Sequence, residues 1–567
     1  MRLPPPSPSL NSTPNHEKIM AYDIHATGSL TREPGKLLAG ALLASTLCVA
    51  GPATAGRSEP PSLDGVATPR LDWQPCPDPH QAGFDCAYVL APLDYRQPQG
   101  RMITLSVIRL PAADPSQRIG TLFFNPGGPG GSGTESLPGQ KPLFPVGLRQ
   151  RFDLVSWDPR GIGDSTAVQC FDSESARAKF FGDLPIKAFP IGRDETTLWL
   201  ERFMALAEPC RQYNGDLLDH VSTADTARDL ELLRRATGDE RLNYLGVSYG
   251  TFLGATYANL FPDRVRAMAL DGNVNPKAWF DKPGLSQSLR LKSDLAARKV
   301  FDRFLKLCGQ TDTAHCAFSA GTPAATKGRW KALMRRLGQG PIHIPTGALY
   351  PDSGATNLTK AGVLSGAANL LFFTLPGERQ GWEYLAKVLQ AAWQYRDAPV
   401  VALEAAKEPG DDAPPPPEKY ASDEQGWAVS CGDSPNPRRP AFYRREAVIA
   451  QGRGGDLGPF WSWGDSPCVN WPGRAADSYT GPWNRETAAP ILVIGNRFDP
   501  STNYANSVTM SRILANARLL TVEGYGHTAL LNPSQCANDF ETRYFLSGEL
   551  PPKGTVCPQD RLPFSGN

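Results

Sequence analysis

At 567 residues and 41% hydrophobic, the chain is long enough to bury a large core and to form more than one lobe. Its formal net charge of +1 gives no footing for nucleic acid or an acidic surface as a partner. The 54 glycines and 54 prolines follow no collagen-like or low-complexity period, which excludes fibrous classes and leaves a loop-rich globular protein.

The chain opens on a polar, Pro-rich stretch, residues 1–19, unlike the start of an export signal, so Met20 is a candidate first residue. Lys36 then precedes an apolar run from 37 to about 50, and Ala53-Thr54-Ala55 supplies a small-x-small cleavage site. The run is shorter than the roughly 20 residues that span a bilayer. Residues 1–55 therefore read as a leader with a cleavable export signal, with a retained anchor or an Ala-rich helix as alternatives. The expected product is secreted or periplasmic and has no stable membrane association. Cys48 leaves with the signal; Leu47 occupies the position where a lipoprotein signal needs a small residue. The ten remaining cysteines fall into sequential neighbours and none has the C-x-x-C spacing of a zinc site. Five local disulfides are expected, 76–86, 170–210, 308–316, 431–468 and 536–557, and neither a metal nor a cofactor is implied.

Short apolar or alternating runs at 103–110, 121–124, 152–157, 242–245 and 267–270, each bounded by Gly, Pro, Asp or Asn, read as strands. Helix-compatible stretches lie between them, among them 225–236, whose Leu230, Leu232 and Leu233 form one apolar face. The rhythm resumes at 491–494 and 517–522. Between the two regions the texture changes to amphipathic runs at 289–307, 330–337 and 382–395, a Pro-rich exposed loop at 409–417, many tryptophans and no strand period. The predicted fold class is α/β: a mostly parallel central sheet with helices on both faces and a large, mainly helical cap inserted before the last strands. The expected divisions are 70–273 and 487–567 for the core and 274–486 for the cap.

The chemistry centres on Gly246-Val247-Ser248-Tyr249-Gly250, between the run 242–245 and the helix-compatible stretch 251–260. A G-x-S-x-G between strand and helix is a nucleophile elbow, whose turn is so sharp that only small flanking residues avoid a clash. Such a serine needs a base, and in this scaffold the acid and base follow in the order Ser, Asp/Glu, His. Asp499 stands just past the strand 491–494, and His527, one of seven histidines, follows the next strand within Glu523-Gly524-Tyr525-Gly526-His527. His527 would take the Ser248 proton and return it to the leaving group, and Asp499 would fix the imidazole. Two backbone N–H groups must face the developing oxyanion. Tyr249 supplies one, and Gly128, in the loop Asn125-Pro126-Gly127-Gly128-Pro129-Gly130-Gly131-Ser132-Gly133, the other. A phosphate-binding loop is the competing reading, but no Lys-Ser/Thr follows and G-x-G-x-x-G is absent.

N-P-G-G-P-G-G-S-G, D-P-R-G-I-G-D-S (residues 158–165), G-V-S-Y-G, R-F-D-P and G-Y-G-H together resemble the secreted tripeptidyl aminopeptidases, α/β-hydrolase exopeptidases related to prolyl aminopeptidases. The similarity extends to Trp73 with Cys76, to Cys86 followed by Pro92-Leu93-Asp94-Tyr95, and to Cys431-Gly432-Asp433 with Pro467-Cys468. The resemblance implies Ser248, Asp499 and His527 as triad and Gly128 with Tyr249 as oxyanion hole. Pro126 stands where prolyl aminopeptidases carry the histidine of H-G-G-P-G, which argues against carrying over proline specificity.

An aminopeptidase must also meet a free α-ammonium with a carboxylate, for which Asp433 and Glu424 of the cap are candidates, while Trp461 and Trp463 could wall a pocket. The expected function is an exported serine aminopeptidase that releases tripeptides or other short N-terminal peptides through an acyl-enzyme. The alternatives are an esterase or lipase-like hydrolase on the same fold and a non-catalytic binding protein. The oligomeric state is left open.

Overall fold

The structure, a computed structural model, describes residues 63 and 65–565 apart from 183, 282–283, 376, 378 and 398–421. The expected export signal and the Pro-rich loop at 409–417 lie outside the described residues. In chain order the strands are β1 (Gln74–Pro75), β2 (Asp85–Pro92), β3 (Met102–Leu110), β4 (Gly120–Asn125), β5 (Phe152–Trp157), β6 (Leu242–Val247), β7 (Val265–Asp271), β8 (Ile342–Ile344), β9 (Thr356–Leu358), β10 (Ile491–Phe498), β11 (Ala517–Tyr525) and β12 (Val556–Pro558). Ten of them form one sheet in the order β1-β2-β3-β5-β4-β6-β7-β10-β11-β12. The first three pairings are antiparallel, and from β5 to β12 every pair is parallel.

Parallel strands must be crossed over by helices, so both faces of this sheet are covered and its central strands are buried throughout. Alternation along each strand sorts the side chains into two cores. Tyr244, Met268, Leu270 and Val493 join residues of the helix Tyr249–Leu260 in the core on one face. Leu245, Ala269, Leu492 and Ile494 pack with Leu148 and Phe545 on the other. This is the α/β-hydrolase fold. Its C-terminal strand ends lie along one edge, where open parallel sheets carry their ligand sites.

The helix Thr223–Ala236 is buried all round rather than on its leucine face alone. Its polar side is neutralised by ion pairs: Arg160 grips Asp229 at 2.7 Å with both side chains fully buried, and Arg228 meets Asp225 at 2.9 Å and Asp477 at 2.6 Å. Between β7 and β10 runs the cap, mainly helical, with a two-stranded antiparallel ladder of β8 and β9 that has no counterpart in the sequence reading. The amphipathic run at 289–307 is two helices, Gln287–Arg290 and Ser293–Gly309, divided at Lys292, whose φ of 63° no helix continues through. All five expected disulfides are formed: 76–86, 170–210, 308–316, 431–468 and 536–557.

One buried acid has a measurable cost. Glu541, on the helix Gln535–Ser547, is 7% exposed and its Oε1 has no hydrogen-bond partner among the described residues. Burial, reinforced by the Asp271 carboxylate, pushes it up to about 8 from 4.5. The folded state therefore holds this proton more tightly than the unfolded chain does. The associated stability is present below pH 4.5 and is lost as pH rises through about 8. Glu541→Gln mimics the protonated form. The variant should gain about 2–4 kcal/mol over the parent at pH 9, with the difference closing toward pH 4.5. Thermal melts of both proteins across that range check the slope; parallel curves would contradict it.

Candidate active site

Ser248 directly follows β6 and is the N-cap of the helix Tyr249–Leu260, with φ 56° and ψ −124°. A non-glycine residue in that region stores on the order of 1–3 kcal/mol and persists only where its surroundings enforce it. The flanking glycines explain how the turn closes. A Cβ on Gly246 would lie 2.3 Å from the Gly250 carbonyl oxygen, and one on Gly250 would lie 2.7 Å from that of Asn125. The Ser248 N–H donates to the Asp271 carbonyl at 2.9 Å, and its own carbonyl accepts from the Thr251 N–H at 2.9 Å. The half-buried hydroxyl makes no hydrogen bond with any described residue, so its rotor is free to turn toward a base or a substrate.

Asp499 and His527 meet on the same edge of the sheet. β6, β10 and β11 are parallel, so the loops after them emerge on one edge of the sheet. His527 Nδ1 lies 2.9 Å from Asp499 Oδ2 and 3.1 Å from Oδ1, with both residues buried. Because a carboxylate only accepts, this contact puts the proton on Nδ1 and leaves Nε2 as the basic nitrogen. The carboxylate is caged by further donors. Oδ1 accepts the N–H groups of Ser501 and Thr502, both at 2.8 Å, and Oδ2 accepts Thr502 Oγ1 at 2.8 Å and the Thr528 N–H at 3.3 Å. The histidine is held from the cap as well. Its N–H donates to the Phe372 carbonyl at 2.8 Å, and the Phe372 ring packs edge-on at 4.8 Å.

Two residues absent from the sequence reading organise this edge. Asp271 accepts the Ser248 N–H on its backbone and the Leu530 N–H on Oδ2 at 2.9 Å, tying the serine turn to the histidine loop. Burial pushes its carboxyl up to about 6. Asn532 donates to the carbonyls of His527, Thr528 and Phe372 and accepts from Thr374, fastening loop to cap. An Asp ending a strand and an Asn in a loop carry no local signal of such roles. Thr502 was more legible, since Asp499-Pro-Ser-Thr502 has the spacing of a side-chain-capped turn.

The Gly-rich loop after β4 faces the serine turn. A Cβ on Gly127 would lie 2.5 Å from the Val247 carbonyl, 2.9 Å from Ser248 Cβ and 3.1 Å from the Tyr249 nitrogen. The Gly127 N–H is taken by Asn125 Oδ1 at 3.1 Å. Neither the Gly128 N–H nor that of Tyr249 has an acceptor among the described residues, which leaves both free for an oxyanion. Asp158, from the D-P-R-G-I-G-D-S stretch, buttresses the far end of the loop by accepting Ser132 Oγ at 2.7 Å, the Thr134 N–H at 3.0 Å and the Asp164 N–H at 2.7 Å. Gly127→Ala meets both the backbone clash and a φ of +91°. Displacing the loop should lower kcat about 10²–10³-fold, the size of losing one oxyanion donor, with a much smaller change in KM. Steady-state kinetics on any turned-over substrate checks this, and unchanged kcat would contradict it.

The two cap carboxylates singled out in the sequence sit differently. Glu424 is fully buried and both its oxygens engage Arg177 Nε, at 2.8 and 3.0 Å. Asp433 accepts Thr223 Oγ1 and Ser478 Oγ, each at 2.7 Å, and Thr223 Oγ1 in turn meets the Tyr249 hydroxyl at 2.7 Å. Burial raises the Asp433 carboxyl above the usual carboxylate range, opposed by those hydroxyls. Asp433 lines a cleft of about 960 Å³ with Lys277, Arg438 and Arg474, and neither Ser248 nor His527 lines it. Trp463 walls two other cavities, and Trp461 lines neither of them. The helix Asp423–Asp433 does reach the Gly-rich loop, since a Cβ on Gly130 would lie 2.8 Å from Gly426 Cα.

The tripeptidyl aminopeptidase of Streptomyces lividans is 30% identical over 523 residues, covering 87% of each chain. The chain belongs to the tripeptidyl aminopeptidase family. With that family it joins the serine peptidases of the α/β-hydrolase superfamily, and it is a serine hydrolase. A family model described as TAP-like protein matches residues 455–557, which carry Asp499 and His527. The chain is similar over a like extent to the serine protease Hip1 of Mycobacterium tuberculosis, 30% identical over 87% of this chain and 92% of its own, and to carboxylesterase B of the same species, 32% identical over 92% and 97%.

Proposed function

We propose that the protein is an exported serine aminopeptidase that releases tripeptides or other short N-terminal peptides. The observation that carries the reading is the buried Asp499–His527 pair, 2.9 Å apart, on the same sheet edge as a serine held at φ 56°. In this reading Ser248 Oγ attacks the scissile carbonyl while His527 Nε2 takes its proton. The N–H groups of Gly128 and Tyr249 receive the oxyanion, and the imidazolium returns the proton to the departing amine. Water then enters by the same base, and the acyl-enzyme is hydrolysed.

Support for a peptide substrate comes from the family and from relatives named for peptidase activity. For the carboxylate that meets the free amine, Asp433 is better suited than Glu424. It lines a cleft and is met by the neutral donors of Thr223 and Ser478, whereas Glu424 is already paired with Arg177. Export is supported by five disulfides, which persist in oxidising compartments. No helix among the described residues is long and apolar enough to cross a membrane.

A second reading, ester hydrolysis on the same triad, is favoured by the relative named carboxylesterase B. One experiment separates the two: digestion of a peptide library with free and N-acetylated ends, read by mass spectrometry, beside a panel of simple esters. Free-ended peptides shortened in steps of two or three residues are the expected result. Cleavage indifferent to acetylation, or ester turnover without peptide products, would overturn the peptidase reading.

A further inference from the structure

A second cavity, formed between the cap and residues 189–197 ahead of β6, is lined by charges of one sign only. It is an open groove of about 740 Å³, within the range of small-molecule sites. Buried Leu364 and Trp463 contribute to its lining, and the helix Pro440–Gly454 contributes Val448, which is 72% exposed although apolar. Ile191, from the loop before the helix Arg193–Ala205, lines it as well and is 40% exposed. Two exposed apolar side chains that border the same concave, largely apolar surface offer a ligand a hydrocarbon wall.

The charges say what kind of ligand fits. Arg193, Lys360 and Arg444 line the cavity, and no Asp or Glu does. Across the chain basic and acidic residues nearly balance, 58 against 57, and many arginines are engaged by carboxylates. Here Arg193 and Lys360 enter no ion pair among the described residues, and Arg444 makes only a 3.1 Å hydrogen bond to Thr197 Oγ1. Guanidinium groups bind carboxylates through paired N–H donors, and unpaired ones beside an apolar trough complement a molecule with an anionic head and a hydrocarbon tail.

We propose that this cavity binds a single-chain amphiphile with a carboxylate head, a medium- or long-chain fatty acid. The tail lies along Val448, Ile191 and Trp463, and the head meets Arg193, Lys360 and Arg444. The site is separate from the Ser248 edge and does not depend on whether the enzyme hydrolyses amides or esters.

Isothermal titration of the full chain with decanoate, octanoate and 1-decanol tests it. Decanoate should bind once per chain and about fifteenfold tighter than octanoate, because each of its two further buried methylenes is worth roughly a factor of four. It should also bind at least tenfold tighter than 1-decanol, which keeps the tail and loses the charge. Val448→Asp, at a position already 72% exposed and so harmless to folding, should weaken decanoate at least tenfold. The double substitution Arg193→Ala with Lys360→Ala should erase the preference for decanoate over decanol. Protein blocked at Ser248 with a fluorophosphonate should bind as before. Four results overturn the proposal: no binding, equal affinity for decanol, indifference to Val448→Asp, or loss of binding in the blocked protein, which would put the ligand in the catalytic cleft.

Discussion

Ser248→Ala should abolish turnover and leave the fold intact. The substitution removes one hydroxyl that makes no hydrogen bond with any described residue, so nothing buried loses its partner. Alanine must adopt the same φ of 56°, but serine already bears that strain, and the glycines at 246 and 250 still give the turn its room. Melting should therefore shift by about a degree or less, as for a change outside the core. The rate is another matter. Without a nucleophile no acyl-enzyme forms, and loss of a triad serine costs roughly 10⁵–10⁶-fold in kcat. The residual catalysis would come from the oxyanion donors and from binding. A fluorophosphonate that labels the parent and not the variant supplies an independent readout. Labelling of the variant, or activity within tenfold of the parent, would refute Ser248 as nucleophile whatever the substrate is.

The parallel core was legible because its strands are short apolar runs closed by turn residues, and β4, β5 and β6 begin and end within a few residues of those runs. The disulfides were legible because each joins neighbours in the cysteine sequence. The nucleophile turn was legible because its glycines are a steric requirement that can be computed from backbone geometry alone. What escaped depends on contacts made across the chain. Phe372 and Asn532 matter because the cap folds back over the histidine loop, and no local pattern around either residue reports that. The break at Lys292 escaped because buried apolar residues continue on both sides of it, Leu289 in the first helix and Ala296, Ala297 and Val300 in the second. Glu424 and Asp433 read as candidates on charge alone. Their partners, Arg177, Thr223 and Ser478, lie between 45 and 247 residues away.

Asp499→Asn should lower kcat by about 10⁴-fold, the size of a tautomer reversal in a triad of this kind, while KM changes little. The argument is one of hydrogen-bond direction. Five donors surround the carboxylate: the N–H groups of Ser501, Thr502 and Thr528, Thr502 Oγ1 and His527 Nδ1. An amide keeps one oxygen and presents two donors on its nitrogen. Oδ1 faces two backbone N–H groups that cannot rotate away, so the amide oxygen must take that position. The nitrogen then falls at Oδ2, opposite Thr502 Oγ1 and His527 Nδ1. The threonine hydroxyl can turn to accept. The imidazole can accept only by moving its proton to Nε2, the nitrogen that would receive the serine proton. The base is then present, correctly oriented and occupied. Stability should fall by about 1–3 kcal/mol, from the Thr528 N–H left facing a donor. A pH–rate profile with a depressed plateau, together with an Nε2-protonated His527 by nitrogen NMR, would bear this out. A variant that kept Nδ1 protonated and full activity would show that Asp499 does not set the tautomer.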